Sequence, residues 1–377
     1  MDPQTLIEPA QTAGVPAPLW FVQFFKVLGF ALHAVPMNLW YAGLLVALLL
    51  RTAGSEHGCR FSARLFRQMP VIVAFGVNLG IVPLLFVQVA YSNLFYPATI
   101  LMAWFWLGII VLLIPAYYGV YVYAAGLKEG GLGMTSWRVA VGWLSAVLFI
   151  AIGFLFANGF SLMAHVERWP ELWRVQQVGG AVTGTALNVG DPSLWPRWLM
   201  MFGLALGTTA VWMVFDAAWF ARTESDDYRS WATSSAWKLY ALSAAWFAAA
   251  GSWYVFGTWP AETRTTMFTG PALVLTAATA VAPGLPLVLL WLGRGRRAGP
   301  GDAAVAGLAQ FGVLGVNAVS RQVVQNLNIG RVFDVLGQRT EVQWGPLVMF
   351  LVAFVAGVGV VAWMIAQVVA ASRQSAA

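Results

Sequence analysis

Cysteine is almost absent from this chain. Cys59 is the only one in 377 residues, which excludes an internal disulfide and an iron–sulfur cluster ligated by this chain alone. No C-x-x-C-H occurs, so there is no c-type haem attachment. Histidine is nearly as scarce: His33, His57 and His165 are the full set. A four-helix dihaem b cytochrome draws two histidine pairs from two spans, and three histidines do not supply them. Charge is thin as well. Charged residues make up 10% of the chain, against about 25% in an average soluble domain. Asp216 is the only carboxylate that falls inside an apolar segment, near its cytoplasmic end. Snorkelling or pairing with Arg222 is expected of it. A single acid is neither a chain of titratable groups nor a ring of like charge, which argues against a proton pump and a charge-steered channel. Walker loops, G-x-S-x-G, H-E-x-x-H and a dinucleotide fingerprint are missing too. No inverted repeat is visible, which argues against a secondary transporter.

What is abundant is apolar. Hydrophobic residues make up 60% of the chain and the mean hydropathy is +0.73, which predicts an all-α, polytopic membrane helix bundle with lipid as its first partner. Nine segments reach the roughly 20 residues that a span needs. They lie near 18–50, 70–91, 98–125, 138–163, 196–221, 232–256, 269–293, 303–326 and 345–371. Together they form a single transmembrane domain over 1–377, with 164–196 as an ordered external cap loop. Lys and Arg are unevenly shared: thirteen, from Arg51 to Arg373, fall in loops on one side and six on the other. The positive-inside rule then predicts an external N-terminus and a cytoplasmic C-terminus. The opening MDPQTLIEPAQTAGVPAP has no basic stretch and no cleavage site, so the first span is expected to be retained. The net charge of +6 belongs to these loops. It does not form a basic patch interleaved with exposed aromatics, and no nucleic-acid partner is expected.

Polar residues at membrane depth are the candidates for function. The eighth segment carries Gln310, Asn317, Arg321 and Gln325 near one helix face, with Gln322 beside them. An arginine there costs about 2.5–3.5 kcal/mol on insertion scales, so it must face protein, a cofactor or water. Interhelical glue is one reading; a cofactor or substrate site is the other. His33 lies mid-span in GFALHAVPMNLW, with Lys26 two turns earlier on the same face. It is either a hydrogen-bonded core histidine or a metal ligand through neutral imidazole. Met200, at the start of the fifth span, is either packing or a soft axial ligand. By the expected topology Lys26, His33, Gln88, Asn158, Met200, Arg321 and Gln322 all lie in the outer half of the membrane.

These residues carry a resemblance. The chain resembles the haem-bearing large subunit of cytochrome bd-type quinol oxidases, and more closely the divergent bd-like membrane proteins found beside c-type cytochromes in bacteria. His33 matches the ligating histidine of that family's opening helix. Phe75-Gly76-Val77-Asn78-Leu79-Gly80, continuing to Phe86-Val87-Gln88, is similar to its F-x-x-G-V-x-T-G and E-F-Q-F-G stretch. Phe156-Ala157-Asn158-Gly159 is similar to its A-N-x-W-M region, and Val319-Ser320-Arg321-Gln322 to its V-G-R-Q-P-W motif. The departures are as informative. The family's glutamate before V-G-R-Q falls on Ala318, the acidic residue before Q-F-G on an apolar position near Val87, and the fifth-helix histidine on Met200. The long quinol-oxidising loop shrinks to 257–268, and the motif's proline and tryptophan are Val323 and Val324.

The resemblance implies a multi-pass subunit of a redox complex in the bacterial inner membrane. It would bind haem b through His33, with Met200 or a neighbouring chain as second ligand. Arg321 and Lys26 would pair with the haem propionates, with Gln322 and Gln88 beside them. Electrons would pass between a quinone and a periplasmic cytochrome c. If catalytic, the chain would be a quinol-linked oxidoreductase subunit; oxygen reduction by this chain alone is not expected. The alternatives are a haem-free bd-like anchor subunit and, after it, a transporter.

Overall fold

Lipid offers no hydrogen bonds to a backbone, so apolar segments of this length fold as helices. The computed structural model describes residue 7, residues 14–129 and residues 134–374. Residues 1–6 and 8–13, most of the opening stretch, lie outside the described residues, as does the side chain of Arg373. Among the described residues twelve helices follow in order, counting Leu19–Thr52 and Gly270–Gly293, each of which runs through a turn, as one helix apiece. They are α1 (Leu19–Thr52), α2 (Glu56–Ala90), α3 (Ser92–Leu101), α4 (Ala103–Glu129), α5 (Ser136–Ala164), α6 (Trp169–Gln176), α7 (Leu194–Phe220), α8 (Asp226–Thr258), α9 (Ala261–Met267), α10 (Gly270–Gly293), α11 (Pro300–Ile329) and α12 (Trp344–Gln374).

Eight of these, α1, α2, α4, α5, α7, α8, α10 and α11, are long and apolar enough to cross a membrane. The fold is therefore that of a multi-pass membrane protein. The ninth expected segment forms α12, whose described apolar stretch, Trp344–Val360, falls short of a full span. It meets the bundle through Phe350 and Phe354, which pack on Phe25 at 5.1 and 5.2 Å between ring centroids.

Helix starts are written locally. Ser55 Oγ accepts from Gly58 N at 3.1 Å, and Ser225 Oγ accepts from Tyr228 N at 3.2 Å, each satisfying a donor that the first turn leaves free. Asp226 and Asp227 follow in the first turn of α8, where the helix dipole favours anions. That polar cap explains why α8 begins before the apolar run at 232–256. Three spans contain a wide π turn: Leu39–Gly43 in α1, Asp216–Phe220 in α7 and Trp253–Thr258 in α8.

The most buried spans are α1 and α7. Against α1 packs α2, and glycine sets their spacing. A Cβ on Gly76 would lie 2.0 Å from Trp40 Cζ3, and one on Gly80 would lie 2.8 Å from His33 Cε1. Gly76 and Gly80 are one turn apart on one face of α2, so two large α1 side chains press directly on its backbone. This is the small-residue packing that apolar helices use where water cannot drive them together. By contrast, the first half of α10, Gly270–Val281, has no buried residue.

The two ends of the bundle differ. At one end, Arg64 Nε and Nη2 reach Asp216 Oδ2 and Oδ1 at 2.7 and 3.1 Å, and Gln68 Nε2 donates to Oδ1 at 2.6 Å. The side chain of Asp216 is 2% exposed. This corrects the expected pairing with Arg222, which instead lies over Trp219. Arg64 and Gln68, one turn apart on α2, reach into the packed interior. Glu224 joins through Arg60 at 2.9 Å and Arg64 at 3.4 Å.

At the other end, residues 164–196 fold into an ordered cap. It holds α6 and a hairpin of β1 (Gln177–Val178) and β2 (Ala181–Val182). Gly179 and Gly180 take φ of 59° and 82° in its two-residue turn, a conformation that favours glycine. Asp191 is the hub. It accepts from Ser161 Oγ at 2.5 Å, Ser193 N at 2.8 Å and Ser193 Oγ at 3.0 Å, and lies 3.4 Å from His165 Nε2. Burial pushes its carboxyl up, but His165, Ser161 and Ser193 outweigh that and hold it below the usual range. Asn158, expected in the same half of the membrane as the site residues, belongs here. Its Oδ1 accepts from Asn188 N at 3.0 Å, tying the cap to α5.

Candidate functional site

His33 is held from two sides. Its Nδ1 donates to Gly76 O at 2.7 Å, across the close α1–α2 approach. Trp40 meets the imidazole edge to face at 5.8 Å. With Nδ1 committed, Nε2 is left as the nitrogen with a free lone pair, the arrangement by which a backbone carbonyl sets the tautomer of a metal-binding histidine.

His33 lines a cavity of about 680 Å³ between α1, α2, α4, α5, α7, α8, α10 and α11. That is within the range of small-molecule and cofactor sites, which bring a few placed polar groups to an apolar wall. Lys26, Met200, Arg321 and Gln322 line the same cavity. Five of the six predicted site residues are thus brought together. Gln88 is not among them. It lies eight residues past Gly80, about 80° round the helix, where its Oε1 accepts from Tyr96 OH at 3.1 Å.

Within the cavity wall the polar groups divide into two kinds. Gln322 is already satisfied. Its Nε2 donates to Tyr91 OH at 2.7 Å and Asn326 Oδ1 at 2.8 Å, and Gln23 also donates to Tyr91 OH at 2.9 Å. This network ties α1, α11 and the end of α2. Gln310, at the start of the polar stripe, is glue as well: Tyr240 OH donates to its Oε1 at 2.7 Å, and its Nε2 donates to Thr208 Oγ1 at 3.1 Å. Both readings of the stripe are therefore realised along α11. Gln310 joins helices, while Asn317, Arg321 and Gln325 face the cavity.

The cations are the other kind. Arg321 is sandwiched between Phe30 and Phe160, with its guanidinium carbon 4.5 and 5.1 Å from the ring centroids. Lys26 Nζ lies 4.2 Å from the Tyr91 centroid and 3.4 Å from Gln325 Oε1. Arg197 also lines the cavity, and with Arg321 it lines a small adjoining pocket that includes Gln325 and Asn328. Among the described residues none of these three cations forms an ion pair with a carboxylate. Aromatic faces offset part of the cost of burying them, but three like charges in a low-dielectric wall call for an anion. Lys26 sits about 10 Å of helix rise nearer the cap than His33. The cavity is thus an apolar chamber with an imidazole at its wall and cations toward the cap.

Arg197 is not singled out by the sequence, because a basic residue at the very start of a span counts with the loop charges that set orientation. Its signal is the three-residue step to Met200, which places both on one helix face. Met200 itself packs beside Leu204 and Phe247. It shares the cavity wall with Met37 and Met201, so composition alone does not single it out. Met37 is one turn from His33 on the same helix, whereas Met200 and Met201 bring their thioethers to the wall from α7.

The chain matches no known protein-family model, and a search of curated proteins finds no match.

Proposed function

We propose that the cavity seats a haem b on His33 and that the protein is an electron-carrying membrane subunit of a redox complex. The observation that carries this reading is the bond from His33 Nδ1 to Gly76 O, which leaves Nε2 as the ligating nitrogen at the wall of a cofactor-sized chamber. A haem b carries an apolar ring and two carboxylates, and the unpaired Lys26, Arg197 and Arg321 supply the cations those carboxylates require. Met200 would be its second ligand. Bound there, the haem would supply one-electron transfer. The protein's own share is to hold the imidazole tautomer, exclude water with the surrounding aromatic wall and offset the acid groups electrostatically. The electron donor and acceptor of this reading are a quinone and a periplasmic cytochrome c, in a bacterial inner membrane.

A reduced-minus-oxidised spectrum with a pyridine haemochrome count on the purified protein tests it. A b-type signal lost in His33→Ala and weakened in Met200→Leu is expected; a colourless native protein overturns it. The second reading is a haem-free anchor subunit. It is favoured by the Gln310 and Gln322 networks, which join helices without any ligand, and a colourless protein that co-purifies with partner chains establishes it.

A further inference from the structure

Asn78 is out of place. It lies near the middle of the apolar part of α2, yet its side chain is exposed on the outer surface of the bundle. Its Nδ2 donates back to Ala74 O at 2.8 Å. That uses one N–H. The other N–H and Oδ1 have no partner among the described residues, and hydrocarbon supplies none. The neighbouring outward residues are Val71, Phe75 and Leu85, at 61%, 53% and 54% exposure. With Asn78 they stand at offsets 0, 4, 7 and 14, the alternating four-and-three spacing of a helix–helix seam. Val82, at offset 11, is half-buried beside Gly29 of α1, so the seam runs along the edge where α2 leaves the bundle.

We infer that this face of α2 is a dimer seam that takes α2 of a second copy of the chain, with Asn78 bonded to its own counterpart. The chemistry selects a second copy. After the Ala74 bond the amide retains one donor and one acceptor, so two such amides facing each other across a twofold axis satisfy both. Identical chains insert with identical orientation, which sets the two α2 helices parallel and Asn78 level with Asn78. A single polar side chain in an apolar seam also fixes register, because any slip leaves two amides unpaired in lipid. The seam does not depend on the occupant of the cavity, although Val77 and Ile81, beside it on α2, also line that cavity.

Cross-linking of the full-length protein in membranes tests the inference. In a Cys59→Ser background, Asn78→Cys and Val71→Cys are expected to form chain-to-chain disulfides on mild oxidation, and Val147→Cys on the lipid-facing side of α5 is not. Separately, Asn78→Val is expected to weaken self-association about threefold to tenfold, read by mass in detergent or by single-molecule counting in lipid discs. A protein that is monomeric at all concentrations overturns the inference. So does a dimer whose association is unchanged by Asn78→Val, or a cross-link from Asn78→Cys to a different chain.

Discussion

Replacing Gly80 by alanine adds one methyl group, and its consequence follows from three numbers. The added Cβ would lie 2.8 Å from His33 Cε1 and 2.9 Å from Nδ1, well inside the roughly 3.5 Å at which carbon atoms meet comfortably. The imidazole must swing away, and its 2.7 Å bond to Gly76 O is then lost. A buried donor left unmade costs about 1–3 kcal/mol, and overfilling a packed interface costs about 1–3 kcal/mol more. Against this, alanine improves helix propensity by about 1 kcal/mol. The net expectation is a loss of about 1–5 kcal/mol, together with a displaced imidazole. Gly312→Ala is the matched control. It sits on α11 with nothing near its Cβ position, so only the propensity gain applies. The assay is a thermal or denaturant scan of both variants in one detergent, with the absorbance of the proposed haem followed in parallel. Opposite signs are expected: Gly80→Ala less stable with depleted absorbance, Gly312→Ala unchanged or slightly more stable. Equal stability and equal spectra for the two would refute the role assigned to the α1–α2 contact.

The other expectations concern separate parts of the molecule. Asp216→Asn removes the two-pronged partner of Arg64 and leaves it Glu224 at 3.4 Å, so the cost should fall below the about 3–5 kcal/mol of breaking a buried ion pair from one side, measured as a lower unfolding midpoint. Arg321→Met should deplete an acidic ligand during detergent washing while leaving fold and expression intact; ligand content per chain in wild type and variant decides it. In the cap, Asp191 titrates below its ordinary value of about 3.9. A carboxyl with a depressed folded pKa lends stability that is complete above the unfolded value and is lost as pH falls through the folded one. Hydrogen exchange over 165–193 should therefore be flat from neutral pH down to about 4 as far as this group decides it, and rise below that, with Asp191→Asn already raised at neutral pH.

Hydropathy alone made the spans legible, because lipid leaves the backbone few options. Antiparallel alternation puts Lys26, His33, Met200, Arg321 and Gln322 in the same half of the membrane, and the cavity wall contains all five. Depth is readable from position along a span; direction round the helix is harder. Gln88 shares the depth but turns toward Tyr96, and Asn158 turns toward the cap. Pairing was least legible. Asp216 was matched to Arg222 by nearness in sequence, whereas its partner Arg64 comes from a span packed beside it. Gly76 and Gly80 were visible only as parts of a motif. Their use, admitting Trp40 and His33, depends on which α1 residues lie opposite.

The wide turn at Leu39–Gly43 has a genetic meaning as well as a structural one. A π turn is one extra residue accommodated within an otherwise regular helix. Deleting Ala42 would let α1 close into uninterrupted α-helix with its two halves in nearly the same register, because the wide turn is what absorbs the extra residue. Lys26 and His33 would stay on the cavity wall, and the span would keep its hydropathy, its length to within one residue and its insertion. A second alanine inserted beside Ala42 exceeds what one wide turn absorbs; it would rotate the upstream half by about 100° and carry Lys26 and His33 off the wall together. The turn thus makes α1 tolerant of a deletion at a place where it is intolerant of an insertion.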